Sequence, residues 1–192
     1  TLLLLAAIAR LGSAHFAVVY PEWRADTLEN EELYSQWEYP CGGVPNGVGN
    51  RTDWPISGGS VVLELHHAWT YAFINLGYGT NVSNFNVSLT AQLLNVTGSG
   101  TFCLPLLTSP DLTGTDGQNA TIQVVTSGED GSALYNCADI TFRSGARALI
   151  AGEDECTNST GVTAAIIDGS SASNSNSSSS SSTSSAGGNA AS

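Results

Sequence analysis

The sequence predicts an all-β domain, an antiparallel β-sandwich of the immunoglobulin or fibronectin-III kind, on three observations. Between Phe16 and about Ala151, β-branched and aromatic residues come in short runs broken by Gly, Asn, Pro and Ser clusters. About seven such runs can be counted, the number an immunoglobulin-like sandwich needs. Helical periodicity is nearly absent: Leu28–Trp37 alone offers a helical turn, opened by acidic residues and ended before Pro40-Cys41-Gly42-Gly43.

The elements follow in order. Phe16–Tyr20 is a first short strand, stopped by Pro21. Val44–Thr52 is rich in Asn and Gly and reads as a loop. Ser60–Leu65 and Tyr71–Leu76 are apolar runs. Phe85, Val87, Leu89, Ala91 and Leu93 alternate with Asn86, Ser88, Thr90 and Gln92, the clearest period of two in the chain. Thr101–Leu106, Ala120–Thr126 and Leu134–Phe142 complete the set. There is no internal repeat, coiled-coil heptad, transmembrane-length apolar run or phosphate-binding glycine loop.

Composition shifts at both ends divide the 192 residues. Residues 2–9 are apolar, too few to span a bilayer but suited to a signal-peptide core, and Gly12-Ser13-Ala14 supplies small side chains for cleavage. Residues 1–14 therefore read as a signal segment and 15–160 as the folded domain. Residues 161–192 read as a Ser-rich, disordered stalk, because Ser, Asn and Ala bury too little apolar area to offset ordering entropy. The small residues Ala186–Ser192 resemble a glycolipid-attachment site. The expected location is secreted, held by a GPI anchor at the plasma membrane or cell wall.

The formal net charge is −12, and from His15 onward the cationic side chains other than histidine are Arg24, Arg51, Arg143 and Arg147. Nucleic acid and anionic membrane surfaces need clustered positive charge, so both are excluded as partners, leaving membrane contact to a lipid anchor; the protein is expected to be a monomer. Cys41, Cys103, Cys137 and Cys156 are widely spaced and even in number, which after a leader reads as two disulfides; three connectivities are open. Sequons at Asn50, Asn81, Asn86, Asn95, Asn119, Asn158 and Asn176 fit a secretory glycoprotein.

Cleavage after Ala14 would make His15 the first residue, with a free amine and an imidazole on one amino acid. The other histidines, His66 and His67, follow the Ser60–Leu65 run. Amine and imidazole nitrogens suit tetragonal Cu(II), so His15 with His66 or His67 forms a candidate "histidine brace". In the run Leu134–Phe142, alternation puts Asp139 on a face with Tyr135, Cys137 and Thr141. A carboxylate in a strand needs solvent or a partner, and a metal would be one.

These residues carry a family resemblance. The start His15-Phe16-Ala17-Val18-Val19-Tyr20-Pro21-Glu22-Trp23-Arg24, then Pro40–Gly43, Asn50–Pro55, His66-His67 and Cys137–Thr141 together resemble the fungal copper acquisition factor family over residues 15 to about 156. The resemblance implies a β-sandwich similar to lytic polysaccharide monooxygenases, and a copper site with His15 as first ligand and Asp139 as carboxylate. His67 best fits the second imidazole, with His66 the alternative. A hard anionic ligand favours Cu(II) over Cu(I), so Asp139 would make a copper binder instead of an oxidase.

The leading reading is thus extracellular copper acquisition or buffering, with the copper ion as partner and a plasma-membrane copper transporter or cell-wall glycan beyond it. A copper-dependent oxidative enzyme acting on cell-wall polysaccharide, and a non-catalytic wall protein, are the competing readings. Hydrolysis finds no ordered nucleophile motif. The pairs Glu31-Glu32 and Asp154-Glu155 read as solvated surface, and Trp23, Trp37, Trp54 and Trp69 as either packing or a glycan platform.

Overall fold

The computed structural model describes residues 15–128 and 131–167. The expected leader, the serine tract and Asn176 lie outside the described residues. Ten strands follow in order: β1 Phe16–Tyr20, β2 Arg51–Pro55, β3 Gly59–Leu65, β4 Trp69–Tyr78, β5 Val87–Ser88, β6 Leu93–Thr97, β7 Gly100–Leu107, β8 Asn119–Ser127, β9 Ala133–Arg143 and β10 Thr163–Ile167, with a 3-10 turn at Asp154–Cys156. They form two sheets, β1-β3-β7 and β10-β6-β4-β8-β9-β2, with β5 paired to β4. Strand pairs are antiparallel except β2 with β9. The architecture is the expected β-sandwich.

The core lies between the sheets because alternate residues on each strand are apolar. Phe16, Val18, Val61, Leu63, Leu65 and Phe102 from the smaller sheet meet Ala72, Ile74, Ile122, Val124, Ile140 and Phe142 from the larger. Each large aliphatic or aromatic side chain so buried contributes roughly 1.5–3 kcal/mol. β8 and β9 are covered on both faces: Thr121, Gln123, Cys137 and Asp139 on their outer side are buried too. The chain between β1 and β2 lies over that outer face, joined to it by Arg24 N–H donating to the Cys137 carbonyl and by the Cys41–Cys137 disulfide.

Four local expectations change. The alternation over Phe85–Leu93 yields only the two-residue β5 before the chain bends; Thr90 Oγ1 accepts a bond from Ile74 N–H, and Ser88 Oγ donates to the Thr90 carbonyl. The Leu89 and Thr90 N–H groups both donate to the Ile74 carbonyl, so the pairing with β4 bulges and ends there instead of running on as a regular ladder. Leu28–Trp37 forms successive turns, started by Asp26 Oδ1 accepting from the Leu28 and Glu29 N–H groups, with no continuing helix. Arg51 and Thr52, placed in a loop, belong to β2 because β9 offers a parallel partner. Thr163–Ile167, assigned to the stalk, is a strand paired with β6 throughout.

The cysteines pair as Cys41–Cys137 and Cys103–Cys156. The first closes a separation of 96 residues and fixes the β1–β2 connection to β9. Replacing both its cysteines by alanine is expected to lower unfolding free energy by about 2–5 kcal/mol, measured by urea denaturation. Of the sequon asparagines, Asn50, Asn81, Asn86 and Asn158 are exposed, whereas Asn95 and Asn119 are half-buried.

Candidate metal centre

Strand register brings the histidines together. β1 and β3 pair antiparallel with Phe16 opposite Leu65 and Ala17 opposite Glu64. His15 enters β1 at the point where His66 leaves β3, so the two sit at adjoining strand ends. His66, His67 and Ala68 then carry the chain from the smaller sheet to β4 in the larger one. His15, Phe16, Leu65, His66, His67, Thr70 and Thr126 line one depression there. Both members of the histidine pair reach it because they lie in a turn, free of the strict up-down alternation of a strand.

The setting favours neutral, ligating imidazole. Burial pushes the His15 pKa below its ordinary 6.5; the Glu31 carboxylate opposes this, and the facing His66 and His67 add to it. Beneath the histidines, Thr126 is 1% exposed, and its Oγ1 has no hydrogen-bond partner among the described residues. Such a hydroxyl costs about 1–3 kcal/mol while unsatisfied. Imidazole nitrogens are donors that suit copper; among the described residues no three His, Cys, Asp or Glu side chains stand close enough together to hold a metal ion as they are.

The connection after β1 braces this position. Phe16, next to His15, donates its N–H to Gln36 Oε1 at 3.2 Å, and its carbonyl accepts from Gln36 Nε2 at 2.9 Å and Asn136 Nδ2 at 3.0 Å. Gln36 is buried, its carbonyl accepts from Tyr135 N–H, and its amide also donates to Thr27 Oγ1. A side-chain amide therefore does for β1 what a neighbouring strand would do. Trp37 meets the His15 ring edge-on at 6.3 Å between centroids, and Glu31 Oε1 lies 3.9 Å from His15 Nε2.

Asp139 is not brought to this cluster. It is 2% exposed, with Oδ2 accepting from Arg24 Nε at 2.8 Å and Oδ1 from Arg24 Nη2 at 3.0 Å and from Thr121 Oγ1. It pairs across β8 with Thr121, whereas Thr126 at the depression pairs with Leu134, five positions along β9. At about 3.3 Å per residue, that offset is roughly 17 Å. Strand alternation placed its side chain on the correct face, but the partner on that face is a guanidinium. Arg24 also reaches the Val44 carbonyl and Asn46 Oδ1, so the pair fastens the whole connection to the sheet.

Sequence reasoning missed Gln36, and nothing in its surroundings marks it. Glu31 was read as surface, which its exposed side chain justifies, although one oxygen faces His15. Trp37, read from the sequence as either packing or a glycan platform, stands edge-on to the His15 ring.

The family model described as copper acquisition factor BIM1-like matches residues 13–161. A lytic polysaccharide monooxygenase-like protein ham-7 of Neurospora crassa is 37% identical over 186 residues, covering 86% of this chain and 80% of that protein. The lytic polysaccharide monooxygenase-like protein X325 of Hypocrea jecorina is 39% identical, covering 83% and 78%. The copper acquisition factor BIM1 of Cryptococcus neoformans var. grubii is 29% identical, covering 82% and 72%.

Proposed function

Because the chain belongs to the BIM1-like copper acquisition factor family, we propose that it binds Cu(II) outside the cell through a histidine brace and passes it on. A leader removed after Ala14 frees the His15 amine. That amine and His15 Nδ1 close a six-membered ring on the metal, and the imidazole of His66 or His67 completes the brace. A lipid anchor on the serine-rich tail keeps the protein at the cell surface, beside a membrane copper transporter that takes the ion. The observation that carries this reading is the shared depression lined by all three histidines above the unpartnered Thr126 hydroxyl.

Protein beginning at His15 is expected to bind one Cu(II), with several nitrogen donors resolved in its EPR spectrum. His66→Ala and His67→Ala, made separately, identify the second imidazole: one abolishes tight binding and the other leaves it. Unchanged affinity in both would remove the brace. The competing reading, oxidation of wall glycan, draws on Trp37, which is 44% exposed beside His15 and open to stacking on a sugar. Oxidised oligosaccharides, found by mass spectrometry after incubation with reductant and glycan, would select it.

Affinity should depend on pH in steps whose sign follows from proton competition. The bound form carries no proton on the ligating nitrogens, so affinity falls as pH drops through each free-state pKa. The amine titrates first, near 7.7–8.0, and ordinary imidazole near 6.5. Burial holds the His15 ring below its ordinary range, so its proton competes with the metal only at a pH below that of the amine. Cu(II) titrations at pH 8, 7 and 6 should give progressively weaker binding with a steepening slope; a flat profile excludes an amine-plus-imidazole site.

A further inference from the structure

We infer that Glu31 is a positioning residue for the copper chelate, holding the His15 ring through the nitrogen that does not bind metal. The inference rests on the proposed brace and adds a partner to it. A histidine that chelates through its own amine must use Nδ1, since Nε2 lies too far round the ring to close a chelate. Nε2 is then left carrying its hydrogen and pointing away from the metal. In this fold Nε2 faces Glu31 Oε1 at 3.9 Å. That is beyond a direct hydrogen bond, and a movement of roughly 1 Å by the exposed Glu31 side chain closes it.

Three neighbours make the arrangement directional. Gln36 fixes the backbone one residue after His15 from both its N–H and its C=O sides. Trp37 stands edge-on to the ring and limits its rotation. The turns that present Glu31 are closed by hydrogen bonds to Asp26 and Asn30, including Asn30 N–H to the Asp26 carbonyl and Tyr34 N–H to the Asn30 carbonyl. The carboxylate is therefore carried on the connection that Arg24–Asp139 and Cys41–Cys137 fasten to the sheet. A carboxylate hydrogen-bonded to the distal nitrogen of a ligating histidine selects its tautomer and makes the ring a stronger donor. The same negative charge stabilises Cu(II) more than Cu(I).

The test uses protein beginning at His15 and compares Glu31→Gln with Glu32→Gln, which removes the same charge from the next residue of the exposed turn. Glu31→Gln is expected to weaken Cu(II) binding about tenfold with little change in Cu(I) binding. This difference appears as a rise of about 59 mV in the copper reduction potential. It should also shift the Cu(II) EPR parameters, while Glu32→Gln leaves affinity, potential and spectrum at parental values. Equal behaviour of the two variants, or a parental affinity and potential in Glu31→Gln, overturns the inference and leaves the brace standing. A parent protein that binds no copper overturns both.

Discussion

One extra residue ahead of His15 is expected to weaken Cu(II) binding by roughly 10²–10⁴-fold, the size of effect lost when a tethered second contact is removed. The amine becomes an amide, whose nitrogen lone pair is no longer available, and His15 falls from a two-point ligand to a single imidazole. The strand pairing Phe16–Leu65 and the Gln36 clamp on Phe16 remain, so the fold and thermal midpoint should not move. Isothermal titration with Cu(II) on protein beginning at His15 and on protein beginning at an N-acetylated Ala14, whose blocked end offers no amine, measures the difference. Equal affinities would mean that copper is held elsewhere and that processing after Ala14 has no part in it.

The second large effect is on stability. Arg24→Met should cost about 3–5 kcal/mol, because it strands the Asp139 carboxylate in a site 2% exposed with only Thr121 to bind it. For a domain of this size each kcal/mol lowers the melting midpoint by about 2–4 °C, so a drop on the order of 10 °C is expected by calorimetry. Combining Arg24→Met with Asp139→Leu removes both charges and should recover most of the loss; a double variant as unstable as the sum of the singles would contradict the pairing. The same residues separate two roles for Asp139. As a copper ligand, its loss alters the EPR spectrum of bound Cu(II). As the partner of Arg24, Asp139→Asn lowers stability and leaves that spectrum unchanged below the melting range.

Most of the sandwich was legible because burial in a sheet obeys a two-residue period. Leu134, Ala138, Ile140 and Phe142 read as one face and pack as one face. The same rule failed over Phe85–Leu93: Val87 and Leu89 are buried as alternation requires, but two successive N–H groups share the Ile74 carbonyl and the regular pairing stops there. β10 was hidden by its setting, since Thr163–Ile167 adjoins a serine tract and becomes a strand only through β6, over sixty residues away.

At the candidate metal centre, the sequence offered the three histidines as candidates, but their meeting depends on the β1–β3 register, which it does not display. Asp139 shows the opposite limit. Its need for a partner was readable, but the partner sits 115 positions earlier, and nothing local distinguishes a guanidinium from a metal. The β-sandwich and the copper-related family stand; the carboxylate's place in the chelate does not follow from the fold.

The register of β1 against β3 has a consequence for how this domain tolerates insertion and deletion. A centre assembled from loop tips survives changes in loop length by re-closing. Here the bite between His15 and the 66–67 pair is set by counting residues from Phe16 and Leu65. One residue inserted between Phe16 and Val18, or between Leu63 and Leu65, slides one partner by about 3.4 Å and turns the following side chains to the opposite face. The stretches 79–86 and 108–118 lie outside that count, and their lengths can drift without disturbing it. Length variation in relatives that keep the centre should therefore collect in those connections and spare the two strands.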